Sequence, residues 1–464
     1  LAMPNDRPNI LFIISDDQSW THTGYAGDPV VRTTAFDRVA EEGVVFTNAY
    51  ISSPSCTPSR AAVLTGRNHW ELEDTGNLWS TWPGWRVYPD ELADAGYRVG
   101  HCYKGWGPSD PKFRFENNPA GPRFQDFGDF LQQNGDDEPF CFWFGSHHPH
   151  RPYVEGSGVQ AGMKLDDIEV PPFLPDSRAV RADIADYLLE CEMYDAQIAE
   201  CLRLLHETGQ YENTLIVVTS DNGMPFPRAK ANLYDYGTRM PLAIAWPGEI
   251  EGGRTVTDFV SFADFAPTFM EAAGLAPLEE MSGRSFLDVL TGGRSGRVDR
   301  ERDRVHCGRE RHTTGRQGDV GYPMRCLRTD DFLYILNYEP DRWPAGEPPM
   351  HLQDVDQGIT KDYMIANADL PEVAPLYELA FGMRPGEELY DLRTDPEQMV
   401  NVAGIPEYDT IRRRLQSELL DYLVATGDPR LEEDGFDFDR AKCYWNGRWF
   451  PRQTPDVFSR RPRP

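Results

Sequence analysis

Two pairs of oxygen-bearing residues stand out because each closes an apolar run. Asp16 and Asp17 follow NILFIIS, and Asp221 and Asn222 follow TLIVVTS. Three carboxylates and an amide oxygen make an all-oxygen donor set, suited to calcium or magnesium and unsuited to zinc. An aspartate after a strand also caps helices and turns, so a structural role for each acid stays open. Cys56 is the second chemical feature. It lies in SSPSCTPSRAAVLTG, just ahead of Pro58 and an alanine-rich run that predicts a helix stopping at Gly66. A thiol there would meet the positive end of a helix, where anions bind and thiolates are favoured. A buried structural cysteine, a redox thiol and the precursor of another nucleophile all fit this pattern.

The chain carries a formal net charge of -29 and only six lysines among its 46 basic residues. Such acidity opposes general binding to nucleic acid or to an anionic membrane. An anionic ligand would therefore need cations gathered locally, which directs attention to Lys104 in YKGWGP and Lys230 in FPRAKANLY. Three histidines, His147, His148 and His150, crowd into GSHHPHR, and histidine suits acid–base work near neutral pH. The eight cysteines are scattered without a C-x-x-C pair, which leaves a zinc knuckle or thioredoxin-like motif unsupported. No window approaches the roughly 18 to 20 apolar residues of a membrane span.

The elements that must position these groups read as an α/β protein. Apolar runs at 9–15, 43–50, 97–103, 140–146, 214–220 and 241–246 alternate with helical stretches. Several are continuously apolar, as in parallel strands covered on both faces. The longest predicted helix covers 182–209, where Ile184, Leu188, Cys191, Ile198, Leu202 and Leu205 recur at helical spacing and Gly209 supplies the stop. A length of 464 residues exceeds one typical domain. The texture changes near 295 to an arginine-rich junction, so residues 1–299 are expected to form a catalytic domain and 300–464 a smaller one. The latter should hold an antiparallel sheet, a helix over 410–426, a proline-rich loop at 342–349 and an extended tail.

The pentapeptide Cys56-Thr-Pro-Ser-Arg60 matches the C-x-P-S-R signature of the type I sulfatases, whose cysteine is converted to formylglycine. RPNILFIISDDQ resembles that family's first strand, SDNGMPFPRAKANLYDYGTRMPLAI its second metal segment with the following lysine, and ELYDLRTDPEQMVNV its C-terminal motif. SHHPHRPY and YPMRCL are similar to the N-sulfoglucosamine sulfohydrolase group within it. The resemblance implies an alkaline-phosphatase-like α/β sandwich, a large mostly parallel sheet flanked by helices, with a small C-terminal antiparallel sheet. It implies that Asp16, Asp17, Asp221 and Asn222 hold one divalent cation, normally calcium. Cys56, as hydrated formylglycine, would be the nucleophile, and Arg60 would orient it. Lys104 and Lys230 would contact sulfate, and His147 would protonate the leaving group unless a neighbour such as His150 does. Trp106 stands where the family carries a histidine, His69 is a candidate substitute, and both, with His150, are candidates for contact with substrate. Arg309, Arg311, His312, Arg325 and Trp343 are candidates for a saccharide subsite, an exposed structural junction being the alternative.

The function so implied is hydrolysis of an O-sulfate ester or N-sulfamate on a sulfated saccharide of a polysaccharide or glycosaminoglycan. The implied partners are that saccharide and a formylglycine-generating maturation enzyme. Export to the periplasm or beyond is expected, with the leader absent from this sequence. Two other readings follow from the same residues: a phosphonate or phosphodiester hydrolase of the same superfamily, and a catalytically silent glycan-binding protein.

Overall fold

The computed structural model describes residues 7–113, 118–134 and 138–445. The predicted extended tail lies outside the described residues. The apolar runs form one sheet of eight strands: β1 (Asn9–Ser15), β2 (Val44–Tyr50), β3 (Arg98–Tyr103), β4 (Phe140–Gly145), β5 (Thr214–Ser220), β6 (Arg239–Met240), β7 (Ala243–Ala245) and β8 (Arg254–Ser261). Their order is β3-β4-β1-β5-β7-β2-β6, with β8 paired to β2. The neighbours β3, β4, β1 and β5 are mutually parallel. β7 runs antiparallel to both β5 and β2, so the 241–246 run is a strand of opposite direction within the sheet. Every residue of β1, β4 and β5 is buried. Each large apolar side chain so covered contributes about 1.5–3 kcal/mol relative to exposure, which is why these runs show no polar alternation. β8, in contrast, alternates through RTVTDFVS, with a partly exposed face.

The helix Arg178–Glu207 lies across one face and starts four residues before the sequence pattern suggests, because Ser177 caps it by accepting from Val180 N–H. Its stripe of Ile184, Leu188, Cys191, Ile198, Leu202 and Leu205 is buried. Cys191 and Cys201 are core residues there, and no disulfide joins any cysteines among the described residues.

A second, antiparallel sheet has the order β12-β11-β10-β9, from β9 (Arg304–Arg309), β10 (Met324–Thr329), β11 (Phe332–Asn337) and β12 (Glu387–Asp391). Asp330 and Asp331 turn the chain between β10 and β11. The helix Asp409–Ala425 covers this sheet by packing Leu415, Leu419 and Leu423 on Leu327, Tyr334 and Leu389. Gly308 N–H in β9 donates to Ser52 O, 2.9 Å away, just before the Cys56 segment. The second sheet is thereby tied to the first beside the residues of chemical interest.

Candidate active site

The register of the parallel strands gathers the site. Ser15 pairs with Ser220, Ile14 with Gly145, and Tyr103 with Gly145. The residues that follow, Asp16, Asp221, the 147–150 histidines and Lys104, therefore emerge together at one carboxyl edge, the usual ligand crevice of such sheets. Asp16 N–H donates to His148 O at 2.9 Å and Asp17 N–H to Asp221 Oδ1 at 3.1 Å, which locks the three loops together. Asp17 adopts a left-handed backbone, φ 79°, a costly conformation for a non-glycine residue that tends to persist at functional sites.

Ligand atoms of Asp16, Asp17, Asp221 and Cys56 all lie within 4.8 Å of one another, and all four residues are buried. Asn222 Nδ2 donates to Asp17 Oδ1 at 2.7 Å, while its own Oδ1 is buried without a donor. An orphaned acceptor beside three buried carboxylates is electrostatically incomplete. An all-oxygen set of this kind fits a hard divalent cation. Burial opposes ionisation of Asp16, but Lys104, with His150, Arg60 and Lys230, outweighs it and holds that carboxyl well below the usual range. For Asp17 the balance reverses, and burial wins over Lys230 and His150 to push its carboxyl up.

Cys56 begins the helix Cys56–Thr65, whose stop is Gly66 in the left-handed conformation. Only 2% of Cys56 is exposed, and its Sγ lies 3.5 Å from Asp16 Oδ1. Burial, with Asp221 next, pushes the thiol well above its ordinary pKa, so the helix dipole loses to its surroundings. A thiolate or redox role is poorly served by this position. Ser55, which precedes it, does not cap the helix and instead bonds His312 Nδ1 at 2.7 Å.

Arg60 is fully buried, with Nε donating to Asp221 Oδ2 at 2.8 Å and Nη1 to Lys104 O and Gly105 O at 2.8 and 3.0 Å. Its donors brace Asp221 and the Lys104 loop. The two lysines approach from opposite sides. Lys104 Nζ reaches both oxygens of Asp16 at 2.6 and 2.7 Å, and Lys230 Nζ reaches Asp17 Oδ2 at 2.8 Å and Asp356 Oδ2 at 3.0 Å.

The histidines differ from one another. His147 lies beside Tyr103, with ring centroids 6.4 Å apart, and burial lowers its pKa to about 4. His148 bonds Glu190 through Nδ1 and is one-third exposed. His150 bonds Arg151 O through Nδ1 and places Nε2 3.8 Å from Asp17 Oδ2. Because a carbonyl can only accept, Nδ1 of His150 carries the hydrogen and Nε2 faces the centre with its lone pair or a second proton.

Four residues expected at substrate are withdrawn from it. Trp106 is 2% exposed, donates Nε1–H to Thr57 O and meets Trp82 edge-on, so it is a prop beneath the helix start. His69 is fully buried, bonded to Ser52 Oγ and stacked edge-on against Trp70. Arg309 pairs with Asp354, and Arg325 with Glu310 and Asp428, all within the interior. Buried charges of this kind need internal partners, so the arginine-rich junction is neither a subsite lining nor an exposed linker. Arg311 and His312 are buried as well, His312 alone among the junction residues meeting the Cys56 segment. Asp356 is the residue at the centre that the pattern did not suggest. DVDQG, in which it lies, shows no periodicity or motif.

The sequence pattern of the Sulfatase family matches residues 8–275. An ulvan-active sulfatase of Formosa agariphila is 28% identical over 96% of this chain and 79% of its own length. The human N-sulphoglucosamine sulphohydrolase is 25% identical over 92% of each chain. A solved structure described as a complex with its substrate D-glucosamine-2-N,6-O-disulfate superposes with a TM-score of 0.69 at 19% identity, covering 94% of this chain and all of the other. The fold is thus the alkaline-phosphatase-like sandwich with a small antiparallel sheet, and the chain belongs to the Sulfatase family as a sulfuric ester hydrolase.

Proposed function

We propose that this protein removes sulfate from a sulfated saccharide, as an O-sulfate ester or an N-sulfamate. The observation that carries the reading is the incomplete charge cluster at Cys56: three buried carboxylates and an orphaned Asn222 Oδ1, flanked by two lysines. The names of the ulvan-active and N-sulphoglucosamine relatives support a glycan as the sulfate carrier. Asp16, Asp17, Asp221 and Asn222 would hold one calcium ion. A hydrated formylglycine at position 56 would supply the oxygen nucleophile, and the cation would draw charge from the sulfate oxygens.

The chain's own residues do the remaining work. Lys104 and Lys230 bring two ammonium groups to the sulfate, supplying the local positive field that a chain of charge -29 otherwise lacks. Arg60 holds Asp221 and the Lys104 loop in register and keeps the site stiff. His150, with its tautomer set by Arg151 O, presents Nε2 to give a proton to the departing oxygen or nitrogen. His147 lacks such a fixing bond and takes the outer place. The test is sulfate release from a panel of defined sulfated saccharides by protein co-expressed with a formylglycine-generating enzyme. Release that disappears in Cys56→Ala supports the reading; binding without release by protein with verified formylglycine overturns it.

A further inference from the structure

Two aspartates, two residues apart, are treated oppositely by this fold. Asp354 is saturated: it accepts from Arg309, from Arg316 at 2.5 Å, and from Thr313 N and Oγ1 at 3.0 and 2.7 Å. Lys361 clamps the same loop, donating to Leu352 O and Val355 O at 3.1 and 2.9 Å. Asp356 is carried on this rigid support to the catalytic centre. Its Oδ2 lies 3.0 Å from Lys230 Nζ and is paired with it, while one-fifth of the Asp356 side chain stays exposed at the centre. Lys230 neutralises the covered side of the carboxylate, and the exposed remainder is what a ligand donor can reach. Lys230 fixes the place, since its ammonium lies between Asp17 and Asp356.

Resting on the proposed sulfatase reaction, we infer that Asp356 determines specificity by accepting a hydrogen bond from a hydroxyl or amine beside the sulfated position of the leaving group. The same negative charge excludes substrates bearing a second sulfate or carboxylate at that place. Lys230 then has two duties, toward sulfate on one side and toward the acid that reads the neighbouring group on the other. Sites built around a hydrogen-bonded hydroxyl reject the analogue that lacks it far more strongly than apolar pockets reject a missing methylene.

The experiment compares three substrates on the matured protein: the best monosaccharide sulfate of the panel, its analogue deoxygenated at the neighbouring carbon, and 4-nitrophenyl sulfate. Wild type should prefer the hydroxylated sugar over the deoxy analogue by about 10⁴-fold in kcat/KM. Asp356→Ala should bring that ratio near one, while losing at least about tenfold less on the aryl sulfate than on the sugar. Asp356→Asn, which keeps the shape and an acceptor oxygen, should fall between. Equal losses on all three substrates would make Asp356 only a holder of Lys230 and overturn the inference. So would a wild type indifferent to deoxygenation, an outcome that needs no variant to fold. Wild type inactive on every sulfate would instead overturn the reaction itself, and this inference with it.

Discussion

Two clusters of acidic and basic side chains in the interior of this protein end differently. Beneath the second sheet, Arg325 and Arg430 face Glu310 and Asp428, two cations to two anions. Arg325 Nε and Nη2 lie 2.7 Å from Asp428 Oδ2 and Glu310 Oε1, and Arg430 Nε lies 2.9 Å from Glu310 Oε1. At the carboxyl edge of the first sheet, Asp16, Asp17, Asp221 and Asp356 face Arg60, Lys104 and Lys230, four anions to three cations. There Asn222 Oδ1 also lacks a donor. The first cluster is closed and holds the fold together. The second carries a surplus of anions, which the proposed cation would offset. Burial alone does not separate these two clusters; the surplus of anions does.

If that distinction holds, a substitution should fail differently in each cluster. Asp17→Asn at the open centre should cut sulfate release by at least about 10³-fold, since it makes a proposed anionic ligand neutral and disturbs the field that stabilises the reaction. Its melting temperature should stay level or rise, because one surplus buried anion is gone. Turnover near wild type, or a steep fall in melting temperature, would break the comparison. Arg325→Met should do the reverse. Leaving Asp428 without its cation and Glu310 with Arg430 alone should cost about 3–5 kcal/mol, read by urea denaturation, with turnover per folded molecule little changed. A stable Arg325→Met that loses activity would return Arg325 to the substrate.

The open cluster was legible in the sequence because strand ends announce themselves. Asp16-Asp17 and Asp221-Asn222 follow runs whose uninterrupted apolar character marks buried parallel strands, and C-T-P-S-R is a dense local motif. The closed cluster was not legible. Arg325 reaches Asp428 across 103 residues, and no local pattern tells a buried arginine from an exposed one. Arg309, Arg325 and Trp106 were misread for that reason: a large polar or aromatic residue near a motif looks available until its partners are known. Asp356 was invisible for the opposite reason, being fixed by Lys361 and by the packing of a loop without periodicity. The strand β8 escaped because its polar alternation differs from that of its covered neighbours.

A calcium titration tests the open cluster directly. Calcium at about 100 times its dissociation constant should stabilise the protein by about 2.7 kcal/mol, seen as a rise in melting temperature that a chelator reverses. Arg325→Met should show the same calcium-dependent rise from its lower baseline, and Asp17→Asn should show little. A calcium response that survives Asp17→Asn would place the ion elsewhere.

The smallest effect concerns a half-buried group whose burial opposes its charge. His306 lies flat on Tyr422, with ring centroids 3.6 Å apart and planes at 7°. Burial, with Arg304 adding repulsion, lowers its pKa to about 3. Unfolded, the same ring titrates near 6.5. Between these values the unfolded chain binds the extra proton, so this contribution to stability is complete above about pH 6.5 and is lost as pH falls toward 3. At pH 5 the loss is about 2 kcal/mol. His306→Phe keeps the stacked ring and removes the titration, so its stability should decline less steeply between pH 6.5 and 5 than that of wild type. Parallel pH profiles would mean that the ring can take up its proton in place, and that this part of the closed side of the molecule tolerates charge after all.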